Sequence, residues 1–196
     1  MSREGLLKKA DETIDIRNIV ARISFRQALD LRRVVSRLKE PYKAYRRPPF
    51  PGVIVKESGG PTFLLFRTGS GICVGNRSVQ ECKKSTERLY SRLIKEDIIE
   101  DRGFELDIQN IVAKAYLGFN IDIDRLSEVL ERVIYEPEIF PAAIYYMDRP
   151  RLTMLIFQNG NTIIAGAKSE EEIVEAYQKT LTTLEPIGLG KSKVTA

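Results

Sequence analysis

The chain has no histidine and no tryptophan, and only two cysteines, Cys73 and Cys82, among its 196 residues. The missing imidazole removes both the commonest metal ligand and the side chain that most readily moves protons near neutral pH. Two cysteines without a C-x-x-C spacing do not make a tetrahedral zinc site. We expect Cys73 in a strand and Cys82 in a helix to be small buried fillers. No G-x-S-x-G is present, and no Gly-Lys-Ser/Thr follows the glycines at 69–75, so neither a serine hydrolase elbow nor a phosphate-binding loop is expected. The reading is of a protein that is not an enzyme and has no cofactor. No apolar run approaches the roughly 20 residues of a membrane span. The start MSREGLLKKADET lacks the hydrophobic stretch of a secretory signal, which sets the expectation of an intracellular protein.

What is present is ordinary globular composition, 43% apolar and 30% charged, with a net charge of +4. That total hides an asymmetry. Residues 1–103 hold 22 Lys+Arg and 13 Asp+Glu, whereas residues 104–196 hold 9 and 14, so the halves carry +9 and −5. The first half attracts a polyanion and the second suits a basic partner.

The chain is also written twice. Phe50-Pro51 returns as Phe140-Pro141, Leu64-Leu65-Phe66 as Leu155-Ile156-Phe157, Gly75-Asn76-Arg77-Ser78 as Gly166-Ala167-Lys168-Ser169, and RNIVA at 17–21 as QNIVA at 109–113. The offsets run from 90 to 92 positions. A repeat of this length governs the fold argument. We read an N-terminal arm at 1–11, a first repeat at 12–103, a second at 104–187 and a polar tail at 188–196.

Within the first repeat, Ile14 to Ile23 alternates as a strand, and Asp30 caps a helix with Leu31, Val34, Val35 and Leu38 inward. Short strands are expected at Val53–Val55, Phe63–Phe66 and Ile72–Val74, separated by glycine-containing turns, and Ser78-x-x-Glu81 opens a second helix. The second repeat predicts a strand from Ile108 to Ala115 and a helix from Asp124 with Leu126, Leu130 and Val133 inward. Strands at Ala143–Tyr146, Leu152–Phe157 and Ile163–Ala165 follow, and then a helix after Ser169 with Ile173, Ala176, Tyr177, Leu181 and Leu184 buried. Both faces of the inner strands are apolar, for Leu64 and Phe66 oppose Phe63 and Leu65. Two amphipathic helices per repeat cover about one face. The other is left as a candidate binding surface.

With the repeat, the paired Asn-x-Val strands and the paired phenylalanines in view, residues 12–186 closely resemble the TATA-box-binding protein family in its archaeal form. QNIVA, YEPEIFP, RPR, LIF and GAKSEEE stand in family order. The resemblance implies an α+β fold in which two pseudo-symmetric repeats form a saddle, a curved ten-stranded antiparallel sheet with four helices on its convex face. It implies a general transcription initiation factor, DNA-associated, that binds and bends A·T-rich promoter DNA through the minor groove. Carried over by position, Phe50 with Phe66 and Phe140 with Phe157 are the wedges, and Asn18 and Asn110 meet base-edge acceptors. Val20, Leu64, Ile72, Val112, Leu155 and Ile163 form the apolar floor, and Arg151 meets a phosphate. The implied partners are double-stranded promoter DNA, transcription factor B, docking on Glu136, Glu138 and Ile139, and the RNA polymerase pre-initiation complex. Off DNA, a homodimer through the underside is left open.

Several positions depart from the family pattern. The paired threonines at the centre of the DNA surface are here Val74 and Ala165, lysines in two turns are Ser70 and Asn161, and the first-repeat counterpart of Arg151 is lost in the shortened turn at Gly60-Pro61. These departures point to a paralogue with relaxed or altered specificity. The rival reading is a saddle that has abandoned DNA and serves as a protein-protein interaction module in transcription.

Overall fold

The computed structural model describes residues 13–185 and 188–191. The arm expected at 1–11 and the end of the tail, 192–196, lie outside them. The chain divides into two compact units, one of Asn18–Asn110 and one of the residues on either side. The divisions fall inside the two longest strands, β1 (Ile14–Ser24) and β6 (Glu105–Tyr116).

In the first unit, β1 is followed by helix α1 (Leu31–Arg37) and strands β2 (Tyr42–Tyr45), β3 (Val53–Glu57), β4 (Thr62–Leu65) and β5 (Ser70–Asn76), then by α2 (Val79–Lys95). The strands pair antiparallel in the order β2-β3-β4-β5-β1. Asp30 caps α1 as expected, its Oδ1 accepting from the N–H groups of Arg32 at 2.9 Å and Arg33 at 3.3 Å. Leu31, Val34 and Leu38 are buried, but Val35, at the margin of that stripe in a helix of two turns, is 37% exposed. Ser78 Oγ accepts from Glu81 N at 3.0 Å, and Glu81 turns its own carboxylate to Arg88 instead of closing the capping box. Cys73 and Cys82 are both fully buried, as the composition suggested.

The second unit repeats the plan with β6, β9 (Ala142–Met147), β10 (Leu152–Phe157) and β11 (Asn161–Ala167), in the order β6-β11-β10-β9-β8, where β8 is Val133–Ile134. Helix α4 (Glu170–Leu184) packs on β11, its start fixed by Ser169 Oγ accepting from Glu172 N at 3.3 Å. Ile173, Ala176, Tyr177 and Leu184 are buried, while Leu181 is half-buried. Each unit thus supplies five strands to this antiparallel order, ten in all among the described residues, beside a separate two-stranded pair in the second unit.

The helix expected from Asp124 is much reduced. A 3-10 turn at Ile123–Arg125 runs into the single turn α3 (Leu126–Val129), so three helices of two turns or more remain among the described residues. Leu130 is already extended, Arg132 takes a positive φ of 61°, and Val133, expected on the helix, is drawn into β8 to pair with Tyr145. Backbone pairing with a sheet edge has outcompeted a weak local helical preference. Glycines 188 and 190 are part of a strand, β12 (Gly188–Lys191), paired with β7 (Phe119–Ile121), where the sequence suggested only a tail.

The question of the two apolar strand faces is answered by burial. Ala21, Ile23, Val53, Val55, Phe63, Leu65 and Cys73 are completely inaccessible, as are Ile111, Ala113, Ala143, Met154, Ile156 and Ile164 in the second unit. Most of the residues alternating with them are half-buried, and Arg22, Lys56 and Lys114 are exposed. At about 25 cal/mol per Å² of apolar surface removed from water, the covered face is what holds each unit together.

Candidate nucleic-acid interface

Strand register fixes which side chains share the open face. In the first unit one row runs Tyr45, Ile54, Leu64, Ile72, Arg22 across β2 to β1, and the next runs Lys43, Lys56, Thr62, Val74, Val20. In the second unit the corresponding rows are Ile134, Ile144, Leu155, Ile163, Lys114 and Tyr146, Thr153, Ala165, Val112. The expected floor residues Val20, Leu64, Ile72, Val112, Leu155 and Ile163 therefore lie within these rows, with Val74 and Ala165 among them. The sequence reading missed Ile54, Ile144, Arg22, Lys114, Thr62 and Thr153. The same 90 to 92 residue offset, followed outward with strand parity, contains the signal for all six.

The phenylalanines fall into pairs, as anticipated. Phe50 and Phe66 meet edge to face with centroids 5.5 Å apart and ring planes at 60°, and Phe140 and Phe157 do so at 6.2 Å and 63°. All four are incompletely buried, Phe140 being 37% exposed. Position Gly52 explains the closer first pair. A Cβ there would lie 2.5 Å from Leu65 O and 2.8 Å from Phe50 Cε1, so only glycine lets the ring lie down on the strand. The corresponding residue of the second unit is Ala142.

Asn18 is held in a defined orientation. The N–H of Gly75 donates to Asn18 Oδ1 at 2.9 Å, and Gly75 takes a φ of +102° beside the irregular β1/β5 pairing. A backbone N–H can bond only the carbonyl end of the amide, so this bond fixes which end of Asn18 is the oxygen and which the NH2. Asn110 is half-buried on β6.

Charge on the open face is positive and unequal. Lys43 and Lys56 are direct cross-strand partners, both exposed, and neither has an ion pair among the described residues. At the matching edge of the second unit, Arg132 pairs with Asp148, and Tyr146 replaces Lys56. Arg22 is bound to Asp107 at 3.3 Å, with both side chains largely exposed. A mainly apolar hollow of about 520 Å³ in the second unit is lined by Val112, Phe157 and Ile163, with Arg17, Lys114 and Asn161 around it. A second, of about 310 Å³, brings Thr153 and Ala165 together with Arg151, which is exposed.

Glu136, Glu138 and Ile139 sit in the turn before Phe140. The N–H groups of Ile139 and Phe140 donate to Glu136 O at 2.9 and 3.0 Å, and Ile139 is 78% exposed. The displaced pKa values lie off the open rows. Burial, reinforced by the neighbouring Glu57 carboxylate, pushes the Tyr42 phenol up to about 12, and the hydrogen bond to Glu57 raises Arg88. These groups tie β2 and β3 to α2 and have a structural part.

An open apolar face repeated in two units, with four edge-paired phenylalanines and an oriented asparagine, can be set beside known proteins. The family model described as transcription factor TFIID (or TATA-binding protein, TBP) matches residues 13–96 and 105–187. The chain belongs to the TATA-binding protein family. The TATA-box-binding protein of Pyrodictium occultum is 36% identical over 186 residues, covering 94% of this chain and 92% of that one. That of Sulfolobus acidocaldarius is 37% identical over 172 residues, 87% of this chain and 86% of the relative. The solved structure of Methanococcus jannaschii TBP superposes with a TM-score of 0.79 at 33% identity, covering 89% of this chain and 99% of that chain. The two-repeat antiparallel α+β architecture is thus that of the TATA-binding family, and its archaeal members are among the relatives.

Proposed function

We propose that this chain is a general transcription initiation factor that binds A·T-rich promoter DNA through the minor groove, bends it, and recruits transcription factor B and RNA polymerase. The observation that carries the reading is the pair of phenylalanine pairs, each edge-stacked and incompletely buried in its own repeat. Two incompletely buried aromatic rings per unit leave apolar surface in water unless they have an apolar partner, and the interior of a base stack is one. Insertion of apolar side chains between base steps, for which this family is the standing example, costs about a few kcal/mol per step and is offset by the surface that the bent duplex then contacts. Half-buried valine, leucine and isoleucine on the rows beside them fit a groove floor that lacks the guanine amino group. Asn18 can donate to adenine N3 or thymine O2, the only acceptors such a groove offers. Lys43, Lys56, Lys114 and Arg151 supply counter-charge for phosphates.

The site residues then divide by role. Phe50, Phe66, Phe140 and Phe157 wedge, Asn18 and Asn110 donate, and Val20, Leu64, Ile72, Val74, Val112, Leu155, Ile163 and Ala165 form the floor. Glu136, Glu138 and Ile139 form an acidic, apolar-tipped turn suited to a basic partner such as transcription factor B. The repeats at 12–103 and 104–187 are its two DNA-reading halves.

A gel-shift titration of the protein against a short A·T-rich duplex and a G·C duplex of equal length tests this. Tighter binding to the A·T duplex is expected, with fluorescence transfer between duplex ends reporting a bend. Phe140→Ala with Phe157→Ala should abolish the kink at one end while thermal unfolding stays cooperative. No shift with any duplex would leave the protein-interaction module as the surviving account.

A further inference from the structure

The open rows show a hydroxyl on each side that the sequence reading does not assign. Thr62 is the direct cross-strand partner of Val74, and Thr153 is the direct cross-strand partner of Ala165. Val74 and Ala165 are the two positions at which this chain replaces the paired threonines of the resemblance. Directly opposed residues in an antiparallel pair project to the same face, so each threonine stands beside the residue that lacks a hydroxyl. We propose that Thr62 and Thr153 are the hydroxyl contacts of this protein to base edges, displaced by one strand from their usual place, and that they determine which base pairs it discriminates. The inference rests on the DNA-binding reading and gives it a specificity.

Three features support the assignment. First, neither hydroxyl has a hydrogen-bond partner among the described residues, although both side chains are only half-buried. Threonines on the helices do otherwise: Thr86 donates to Cys82 O at 2.8 Å, Thr182 to Gln178 O at 3.0 Å and Thr183 to Lys179 O at 2.9 Å. Second, a β-branched side chain in a strand has few rotamers, so the hydroxyl is held in place before any ligand arrives. Third, Thr153 and Ala165 line the same hollow of about 310 Å³ as Arg151, so a base edge beside Thr153 would have a cation within reach of its phosphate.

Neighbouring strands are about 4.8 Å apart. A hydroxyl moved from β5 to β4, or from β11 to β10, thus reads roughly one base pair farther from Asn18 or Asn110, since base pairs stack about 3.4 Å apart. Beneath Val74 and Ala165 only methyl groups remain. Discrimination should therefore fall at the base pairs nearest the middle of the site and rise at the pairs one step outside them.

The test uses Thr62→Val and Thr153→Val, which keep shape and remove the hydroxyl, alongside Thr62→Ser and Thr153→Ser, which keep it. Binding is measured by gel shift to the A·T-rich duplex and to a set in which single positions are changed to G·C. Each valine variant should lose about two- to tenfold in affinity for the A·T duplex, the equivalent of one net hydrogen bond. It should also lose discrimination at one position in its own half-site, and the serine variant should restore both. Thermal unfolding of all four variants separates these effects from misfolding. Wild-type affinity and an unchanged position profile in the valine variants would overturn the proposal while leaving DNA binding intact. Failure of the wild-type protein to bind any duplex would overturn the DNA-binding reading itself, and this inference with it.

Discussion

Replacing Gly52 by alanine moves a wedge without removing it. A methyl at this position would lie 2.8 Å from Phe50 Cε1 and 2.5 Å from Leu65 O. Carbon contacts relax to about 3.5–4.0 Å, so the ring must withdraw by roughly 0.7 to 1.2 Å, and the strand must yield as well. The second unit shows where such a change leads. It carries Ala142 at the corresponding position, and its rings stand 6.2 Å apart in place of 5.5 Å. Overpacking of this kind costs about 1–3 kcal/mol. At about 2–4 °C per kcal/mol for a chain of this size, Tm should fall by roughly 2–12 °C. The first-unit pair should open toward 6.2 Å, and because the wedge no longer enters its step in register, binding to an A·T duplex should weaken by about threefold to tenfold. Ala142→Gly, the reciprocal change, should draw Phe140 toward Phe157. A crystal structure of the variant, thermal unfolding and end-to-end fluorescence transfer read the three effects. If the rings separate and yet affinity and bend angle stay at wild-type values, ring placement is not what couples this face to DNA.

Glu136→Arg with Glu138→Arg should leave binding to DNA alone nearly unchanged and block the ternary complex with transcription factor B, because both carboxylates stand on the exposed turn before Phe140. Equal loss of both complexes in a gel shift would place them on the DNA surface or in the fold. Lys43→Gln with Lys56→Gln should flatten the dependence of log affinity on log salt by about 1.8, two phosphate contacts at about 0.9 each. An unchanged slope would mean that these lysines touch no phosphate. Val74→Thr with Ala165→Thr restores the two central hydroxyls and should tighten binding to a TATA element by about tenfold, more than to a scrambled A·T duplex. Equal or weaker binding to every duplex would show that the centre of the face is not short of donors.

Much of this surface is legible in the residues because two independent signals coincide. Alternation assigns Leu64 and Phe66 to one side of a strand and Phe63 and Leu65 to the other, and the repeat then marks Leu155 and Phe157 for the same side as Leu64 and Phe66. What alternation cannot tell is which side the helices cover, and that is settled only by burial of Phe63 and Leu65. The failures have a common cause. Strands β2, β7 and β8 are short, and their extended backbone is imposed by pairing with a neighbour, which leaves little local pattern. Val133 fits a helical spacing from Leu126 and Leu130, yet pairs with Tyr145 because β9 has an edge to satisfy. Thr62 and Thr153 were overlooked because each threonine is unremarkable in its own strand. Only register sets it beside Val74 or Ala165.

The bond from the Gly75 N–H to Asn18 Oδ1 has a consequence for direction. A side-chain amide that can rotate offers either a donor or an acceptor, but the bond from Gly75 fixes which end of this one is the carbonyl and leaves the NH2 end to donate. Adenine N3 and thymine O2 lie at nearly equivalent places on the groove floor and both only receive them. In the proposed groove-binding role, Asn18 would tell A·T from G·C and be blind to which strand holds the adenine: of the two bits needed to name a base pair, it would extract one. A promoter read through such contacts is the same word forwards and backwards. In that role, the direction of transcription would rest on whatever breaks the equivalence of the two halves, and the two units do differ in the lysine pair at 43 and 56 against Arg132 and Tyr146, and in the acidic turn at 136–138.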